Sequence, residues 1–233
     1  MTSSKKTARI AGFLYLIFIA TSIFANAFGR SNIIVYGDAA VTAKNIMAAA
    51  GLFRMGFMSD LISAAFFILT AWALYVLLQP VNKHLALLFV LLNLGGVAIQ
   101  CINMLNLFAA LLLLSGADYL KVFQAEQLQS LAMLFLTLYK NGFIIAQLFY
   151  GTWLLPLGYL VFKSGFLPRI LGILLMVDCF GVLIWFFQIF LLPNYEVISY
   201  PSFVVGFIAE FSLSLWLLIK GVKEQKPALV EAS

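Results

Sequence analysis

Two acidic residues, Asp178 and Glu210, each lie near the middle of an uninterrupted apolar segment of the chain. An ionised carboxylate surrounded by hydrocarbon is unfavourable, so such residues generally face the interior of a helix bundle or a water-filled cavity. In that setting a carboxylate binds a cation or a proton, or serves as a general acid or base. These two residues are therefore the leading candidates for a functional site.

The segments that carry them indicate the class of protein. Of the 233 residues, 64% are hydrophobic and only 10% are charged, whereas soluble domains are about 45–50% apolar and about 25% charged. About 20 apolar residues in a helix cross a hydrocarbon core of roughly 30 Å. The sequence predicts an all-α polytopic membrane protein, with residues 1–233 forming a single integral-membrane helical domain.

Six apolar segments are long enough to span a membrane. They cover residues 10–28, 52–78, 85–114, 131–162, 167–192 and 201–219. An even number places both termini on one side, where the basic residues of the tails and of two short connections would also lie: Lys5, Lys6, Arg9, Lys83, Lys163, Arg169, Lys220, Lys223 and Lys226. Because cytoplasmic connections are rich in Lys and Arg, we expect a protein of the cell membrane with both termini in the cytoplasm.

The charge pattern and the first apolar segment each leave an alternative. The net charge of +5 follows from the basic cytoplasmic connections, so nucleic acid is not predicted as a partner. The motif Ala25-Asn26-Ala27 has the form of a signal-peptidase site. The preceding apolar stretch exceeds the usual 7–15 residues or so of a signal peptide, and a retained span is therefore preferred over a cleaved signal.

Two local features interrupt the apolar pattern. Asp38 is placed to cap a short extracytoplasmic helix from Ala39 to Ala50 between the first two spans, with Gly51 ending it. This helix would lie on the mouth of the bundle or at the membrane interface, or else form a solvated connector. Pro156, inside the fourth span, predicts a kink just upstream.

The remaining polar residues of the spans extend the candidate site. The candidates for binding a ligand or proton are Asp178, Glu210, Asp60, Arg54, Lys140, Asn93, Gln100 and Gln147. Depth in the membrane follows from counting residues at the helical rise of about 1.5 Å each. By this count Asp178, Glu210 and Asn93 lie near the midplane. Asp60 lies in the outer third, and Arg54 and Lys140 lie near the outer boundary. If their faces converge, they form a polar cavity that opens outward, cationic at its rim and acidic at its floor.

Structural roles compete with this interpretation. Asn and Gln residues often link membrane helices by hydrogen bonds, and basic residues near helix ends extend toward the interface. Asp60 would then form an ion pair with Arg54 or Lys140. A carboxylate dyad or a carboxylate-held metal among Asp60, Asp178 and Glu210 is a weaker alternative.

Motifs of well-known catalytic sites are absent from the sequence. His84 is the single histidine, and the sequence contains no H-E-x-x-H, G-x-S-x-G or phosphate-binding loop motif. The two cysteines, Cys101 and Cys179, lie in separate spans and are expected to be free, packed thiols. No metal site and no cofactor are predicted, and no catalytic residue is assigned.

Several short motifs occur together along most of the chain. They are Thr7–Gly12, Tyr36–Ala40, Leu52–Arg54 with Asp60-Leu61, Leu155–Leu160, Lys163–Arg169 and Trp216–Gly221. In combination they resemble a bacterial membrane family called domain of unknown function 4386. The resemblance implies a multi-span helical protein of bacterial membranes, and it brings no activity, cofactor or functional residue with it.

Three functions fit these features. The leading hypothesis is a six-helix bundle that binds or transports a small solute or cation in a carboxylate-lined pocket, and it needs a water path from Arg54 toward Glu210. A non-catalytic membrane partner or assembly subunit predicts a closed, fully paired interior. The least favoured, an intramembrane enzyme acting on a lipid or isoprenoid, uses Asp178 or Glu210 as acid or base. The expected partners are the bilayer and a small-molecule or cationic ligand, with a homo-oligomer or a membrane partner as alternatives.

Overall fold

The long apolar segments all form helices. A computed structural model describes residues 3–223 and contains six helices in that range that are long and apolar enough to cross a membrane. The α-helices are α1 (Ser3–Ala27), α2 (Ala39–Ala48), α3 (Ala50–Leu78), α4 (Lys83–Leu113), α5 (Ala125–Thr152), α6 (Leu154–Lys163), α7 (Arg169–Leu191) and α8 (Tyr200–Ile219). Helices α5 and α6 together form the fourth predicted span. The predicted all-helical fold with six such segments is confirmed.

The six long segments form a closed ring. Each packs against the next along the chain, from α1 and α3 through α4, α5–α6 and α7 to α8, which returns to contact α1. The chain enters α1 and leaves α8 at the same end, where Lys5 lies against Gly221. We call this the terminal end and the other the distal end. That the terminal end faces the cytoplasm remains a prediction, and Lys226 of the predicted cytoplasmic set lies outside the described residues.

Glycines set the distance between helices in the terminal half. A Cβ atom on Gly12 of α1 would lie 2.6 Å from the carbonyl oxygen of Ser214 in α8. A Cβ atom on Gly172 of α7 would lie 2.5 Å from the carbonyl oxygen of Gly158 in α6. Real Cβ atoms do not approach so closely, so the backbones touch only because these side chains are absent.

An aromatic cluster fills the centre of the ring in the terminal half. The indole of Trp153 is buried, and the rings of Phe67, Phe89 and Tyr15 lie 4.9, 6.1 and 6.4 Å from it, centroid to centroid. All three contacts are edge-to-face, an arrangement that adds to the stability gained by burial. Buried leucines from the same helices continue this packing toward the terminal end. The terminal half is therefore sealed.

The helix between the first two long segments begins as predicted and ends earlier. The Asp38 side chain accepts a hydrogen bond from the Val41 amide (2.9 Å), which caps α2. Helix α2 ends at Ala48, Ala49 alone leaves the helical conformation, and α3 begins at Ala50. The prediction that Gly51 ends this helix is wrong, because Gly51 lies in the first turn of α3. The extracytoplasmic location of α2 stays a prediction.

The fourth long segment is interrupted where the proline predicts. Trp153 separates α5 from α6, three residues before Pro156. Proline has no amide hydrogen, so the carbonyl of Thr152 loses its usual partner in the next turn. The break turns α6 onto α7 and places Trp153 at the centre of the ring.

Candidate functional site

A cavity of about 890 Å³ occupies the middle of the ring in the distal half. All six long segments contribute to its wall. Its outermost lining residues include Ser31, Glu196 and Tyr200, which are exposed at the distal end. Its floor is formed by Phe67 and Trp153, which belong to the aromatic cluster that seals the terminal half. The cavity is therefore open at one end of the bundle and closed at the other.

Glu210 lies at the floor of this cavity. It is half-buried, and its Oε2 atom accepts a hydrogen bond from the hydroxyl of the fully buried Tyr15 (2.6 Å). Among the described residues this is the hydrogen bond that the carboxylate receives, so Oε1 has no protein donor there. The tyrosine fixes one oxygen, and the other is left to interact with the contents of the cavity.

Asp178 faces its neighbouring helix rather than the cavity. Its side chain is 1% exposed, and a Cβ atom on Gly206 of α8 would lie 2.7 Å from Oδ1. Neither carboxyl oxygen has a hydrogen-bond partner among the described residues, and Asp178 does not line the cavity. Asn93 of α4 is also fully buried, without a partner for its amide, and outside the cavity lining. Of the three candidates near the midplane, Glu210 alone reaches the cavity.

An ion pair lies in the upper wall of the cavity, by which we mean the part nearest the distal opening. Arg30, just after α1, binds the carboxylate of Asp60 on α3, and both side chains are mostly buried. The guanidinium carbon also lies 5.4 Å from the ring centroid of Tyr139, whose hydroxyl is 3.5 Å from Asp60 and 3.3 Å from the Gln100 amide. This network ties α1, α3, α4 and α5 together around the opening.

The predicted partners of Asp60 lie elsewhere. Arg54 is exposed and does not line the cavity, and Lys140 lies at the mouth with its ammonium 5.0 Å from the ring centroid of Tyr36. The prediction that Asp60 pairs with Arg54 or Lys140 is therefore wrong. Burial raises the pKa of the Tyr36 hydroxyl above its ordinary value, so the ring beside Lys140 stays neutral.

Comparison with known proteins places the chain in a family. The profile of the family described as Domain of unknown function (DUF4386) matches residues 10–221. The chain belongs to the DUF4386 family. An "Uncharacterized protein" of Archaeoglobus fulgidus is 28% identical over 153 residues, which cover 66% of this chain and 75% of that protein. No solved structure matches the chain. The bacterial source that the resemblance implies stays a prediction.

Five of the eight predicted site residues line the cavity of this DUF4386 protein. They are Glu210, Asp60, Lys140, Gln100 and Gln147, and the three that do not are Asp178, Asn93 and Arg54. Arg30, Tyr15 and the aromatic lining residues are not among the residues predicted for the site. An aromatic residue in an apolar segment gives no signal that separates a cavity wall from a lipid-facing surface. The position of Arg30, a basic residue just after the first span, could have marked it as a candidate. Its partner Asp60 lies 30 residues away in the sequence, so the pairing itself could not be read from the local pattern.

The DUF4386 structure brings no metal-binding cluster together within residues 3–223. No group of three or more His, Cys, Asp or Glu side chains lies close enough to hold a metal ion in that range. Cys101 is exposed and Cys179 is buried, both as free thiols, and His84 is exposed in the first turn of α4. Among these residues the chemistry available at the cavity is that of carboxylates, one guanidinium and one ammonium group, amides, hydroxyls and aromatic rings.

Proposed function

We propose that this protein is a multi-pass protein of the cell membrane that binds or transports a small solute or cation in its central cavity. The observation that carries the proposal is the open cavity of about 890 Å³ with Glu210 at its floor. Pockets for small organic molecules are roughly 300–1,000 Å³ in volume and combine apolar walls with a few placed polar groups. This cavity has that size and that kind of lining.

The charge distribution supports an orientation for the cavity. Lys83, Lys163 and Arg169 lie in the connections at the terminal end, together with the basic residues near both chain termini. Connections of this kind face the cytoplasm in most membrane proteins. The cavity then opens to the outside, and transport inward would require the aromatic seal around Trp153 to part.

The interior differs from what an assembly subunit predicts. A non-catalytic partner would have a closed core whose polar groups pair with one another, whereas here Glu210 retains one carboxyl oxygen without a protein donor. Several exposed residues that line the cavity lie at helix ends or in the connections of the distal end, as do Ser31, Glu196 and Tyr200. This favours a ligand arriving from water over a lipid entering from the side.

The first test asks whether the cavity is connected to water. Ser22 lines the cavity on α1, whereas Ser214 on α8 is fully buried in the sealed half. Each would be replaced by cysteine after Cys101→Ser and Cys179→Ser, and exposed to uncharged hydroxyethyl methanethiosulfonate. We expect Ser22→Cys to react nearly as fast as the exposed control Ser115→Cys, and Ser214→Cys to react only after denaturation. A Ser22→Cys thiol that stays unlabelled in the folded protein would remove the proposal.

The second test asks whether Glu210 contributes to ligand binding. Purified protein in nanodiscs would be screened for thermal stabilisation by small solutes and cations, comparing the wild type with Glu210→Gln. Glu126→Gln is the matched control, since Glu126 is exposed at the start of α5 and outside the cavity. Ligands should stabilise the wild type and the control, and the shift should fall in Glu210→Gln. Equal shifts in all three proteins would exclude Glu210 from the binding site.

A further inference from the structure

The charged groups of the cavity leave one carboxylate without a basic neighbour. Three carboxylates and two basic side chains line the cavity. Arg30 forms its salt bridge with Asp60, and Lys140 lies over the Tyr36 ring at the mouth. Glu196 is exposed at the distal end. Glu210, at the floor, takes part in no salt bridge among the described residues. The deepest acidic group of the cavity is therefore a carboxyl group whose hydrogen-bond partner among the described residues is the Tyr15 hydroxyl.

Aromatic rings surround the floor at which this carboxylate lies. Phe18, Phe67, Tyr150 and Trp153 all line the cavity together with Glu210. Phe67 is central to them, with ring centroids 4.0 Å from Phe18, 4.9 Å from Trp153 and 5.3 Å from Tyr150. Aromatic faces attract cations through their quadrupoles, most strongly when water is excluded, and such rings are a common means of recognising quaternary ammonium groups.

The same floor does not suit a bare inorganic ion. Calcium takes about six to eight oxygen ligands, and magnesium requires a near-ideal octahedron of them. Glu210 offers a single carboxylate, the neighbouring wall is made of rings, and residues 3–223 hold no cluster of metal-ligating side chains. The volume also exceeds what one ion needs. The lining is therefore complementary to a ligand with one positive charge and a sizeable apolar body.

We propose that the cavity binds organic amines or quaternary ammonium compounds, with Glu210 as counter-ion and the rings of Phe67 and Trp153 against the apolar body. The inference rests on the proposed function, since it names the ligand class of the same cavity. The amine is drawn past the paired charges of the upper wall to the unpaired carboxylate at the floor. A neutral solute gains at most a hydrogen bond from that carboxylate, whereas a cation also gains the attraction between opposite charges and an anion is repelled.

The first experiment measures the charge preference of the cavity without knowledge of the natural ligand. The Ser22→Cys protein would be labelled with trimethylammonioethyl methanethiosulfonate, a cation, and with sulfonatoethyl methanethiosulfonate, an anion. The measured quantity is the rate of labelling by the cation divided by the rate of labelling by the anion. This ratio should be about tenfold or more higher at Ser22→Cys than at the exposed Ser115→Cys, because a charged cleft concentrates its counter-ion to that degree. Adding Glu210→Gln should remove most of the preference, and adding Glu126→Gln should leave it intact. If the two positions give the same ratio in protein that retains Glu210, the inference is overturned. This outcome can be measured whether or not the Glu210→Gln variant folds.

The second experiment measures protection by defined probes. Benzyltrimethylammonium should slow labelling of Ser22→Cys by the uncharged reagent, whereas benzyl alcohol, phenylacetate and sodium ions should not. A Phe67→Leu change, which keeps an apolar side chain and removes the ring, should weaken this protection severalfold. Equal protection by benzyl alcohol or phenylacetate, or none by the ammonium compound, overturns the ligand class. The proposed function survives those results, since its own failure is the absence of labelling by the uncharged reagent.

Discussion

The terminal and distal halves of the bundle are built from the same helices but are held together differently. In the terminal half, backbones touch at glycines such as Gly12 and Gly172, and rings pack around Trp153. In the distal half the helices surround a cavity whose wall contains polar links, as in the Arg30–Asp60 pair. Away from the cavity, this half is also packed by a second apolar cluster and by two touching glycines of its own. The two halves differ at the centre of the ring, which aromatic side chains fill in the terminal half and which is an open, partly polar cavity in the distal half.

This difference bears on how the cavity would be used. Polar links between membrane helices are weak, with measured values averaging about 0.6 kcal/mol. A large side chain in a closely packed region contributes more, since removing one costs several kcal/mol. The polar links of the cavity wall can therefore be broken at lower cost than the packing of the seal when a ligand enters. In the proposed function, the seal around Trp153 would set the energetic barrier to movement of a solute through the bundle.

The largest effect should follow from removing the centre of the seal. Trp153→Ala leaves a cavity between Phe67, Phe89 and Tyr15, and we expect a loss of about 4 kcal/mol in the free energy of unfolding. Trp72→Ala is the control, because Trp72 is 59% exposed on α3, and it should cost less than about 1 kcal/mol. Unfolding in mixed detergent micelles, followed by circular dichroism, gives both values. Similar losses in the two variants would mean that the aromatic cluster does not hold the terminal half together.

A smaller loss is expected when two touching backbones are forced apart. Gly172→Ala places a methyl group against the backbone of α6, which cannot move aside as a flexible side chain does. Overpacking of this kind costs about 3 kcal/mol. Gly51→Ala is the matched change, since nothing lies within 4 Å of its Cβ position. It should be neutral or stabilise α3 by up to about 1 kcal/mol. If Gly51→Ala is destabilised as well, the loss at Gly172 cannot be attributed to its contact with the α6 backbone.

The ion pair of the distal half should contribute less than either feature of the terminal half. Asp60→Asn leaves Arg30 without its partner, and since both side chains retain some exposure at the cavity, we expect a loss of about 2 kcal/mol. Asp118→Asn breaks the Lys121 pair, which is exposed at the surface, and should cost less than about 0.5 kcal/mol. A loss at Asp60 as small as that at Asp118 would mean that the pair does not secure the cavity wall.

The overall fold was predictable because it follows from one property, the length of the apolar segments. All six appear in the structure, although hydropathy finds only the apolar part of a helix. Helix α1 extends back to Ser3 through the polar turn that contains Lys5 and Lys6, and α5 begins at Ala125, where Gln124 and Gln127 form a capping box. Such ends depend on hydrogen bonds to the backbone rather than on hydrophobicity.

The site was predictable only in part, because a helix face has several neighbours. Asp178 and Glu210 give the same signal in the sequence, a single carboxylate within an apolar segment. The absence of a side chain at Gly206 lets α8 approach α7 and cover Asp178, whereas Glu210, one turn further along α8, reaches the cavity. Spacing along one helix contains no information about which residue on the next helix will lie opposite.

The smallest expected effect tests whether the distal half is held by polar contacts at all. The hydroxyl oxygens of Ser22 on α1 and Ser63 on α3 are 2.6 Å apart. A double-mutant cycle with Ser22→Ala and Ser63→Ala should give a coupling energy of about 0.6 kcal/mol. Thr137→Ala, paired with Ser22→Ala, is the control and should show no coupling, because the Thr137 hydroxyl bonds to Met133 within its own helix. A coupling at the serine pair as large as the losses at Trp153 or Gly172 would contradict the contrast between the halves, since the distal half would then resist opening as strongly as the seal.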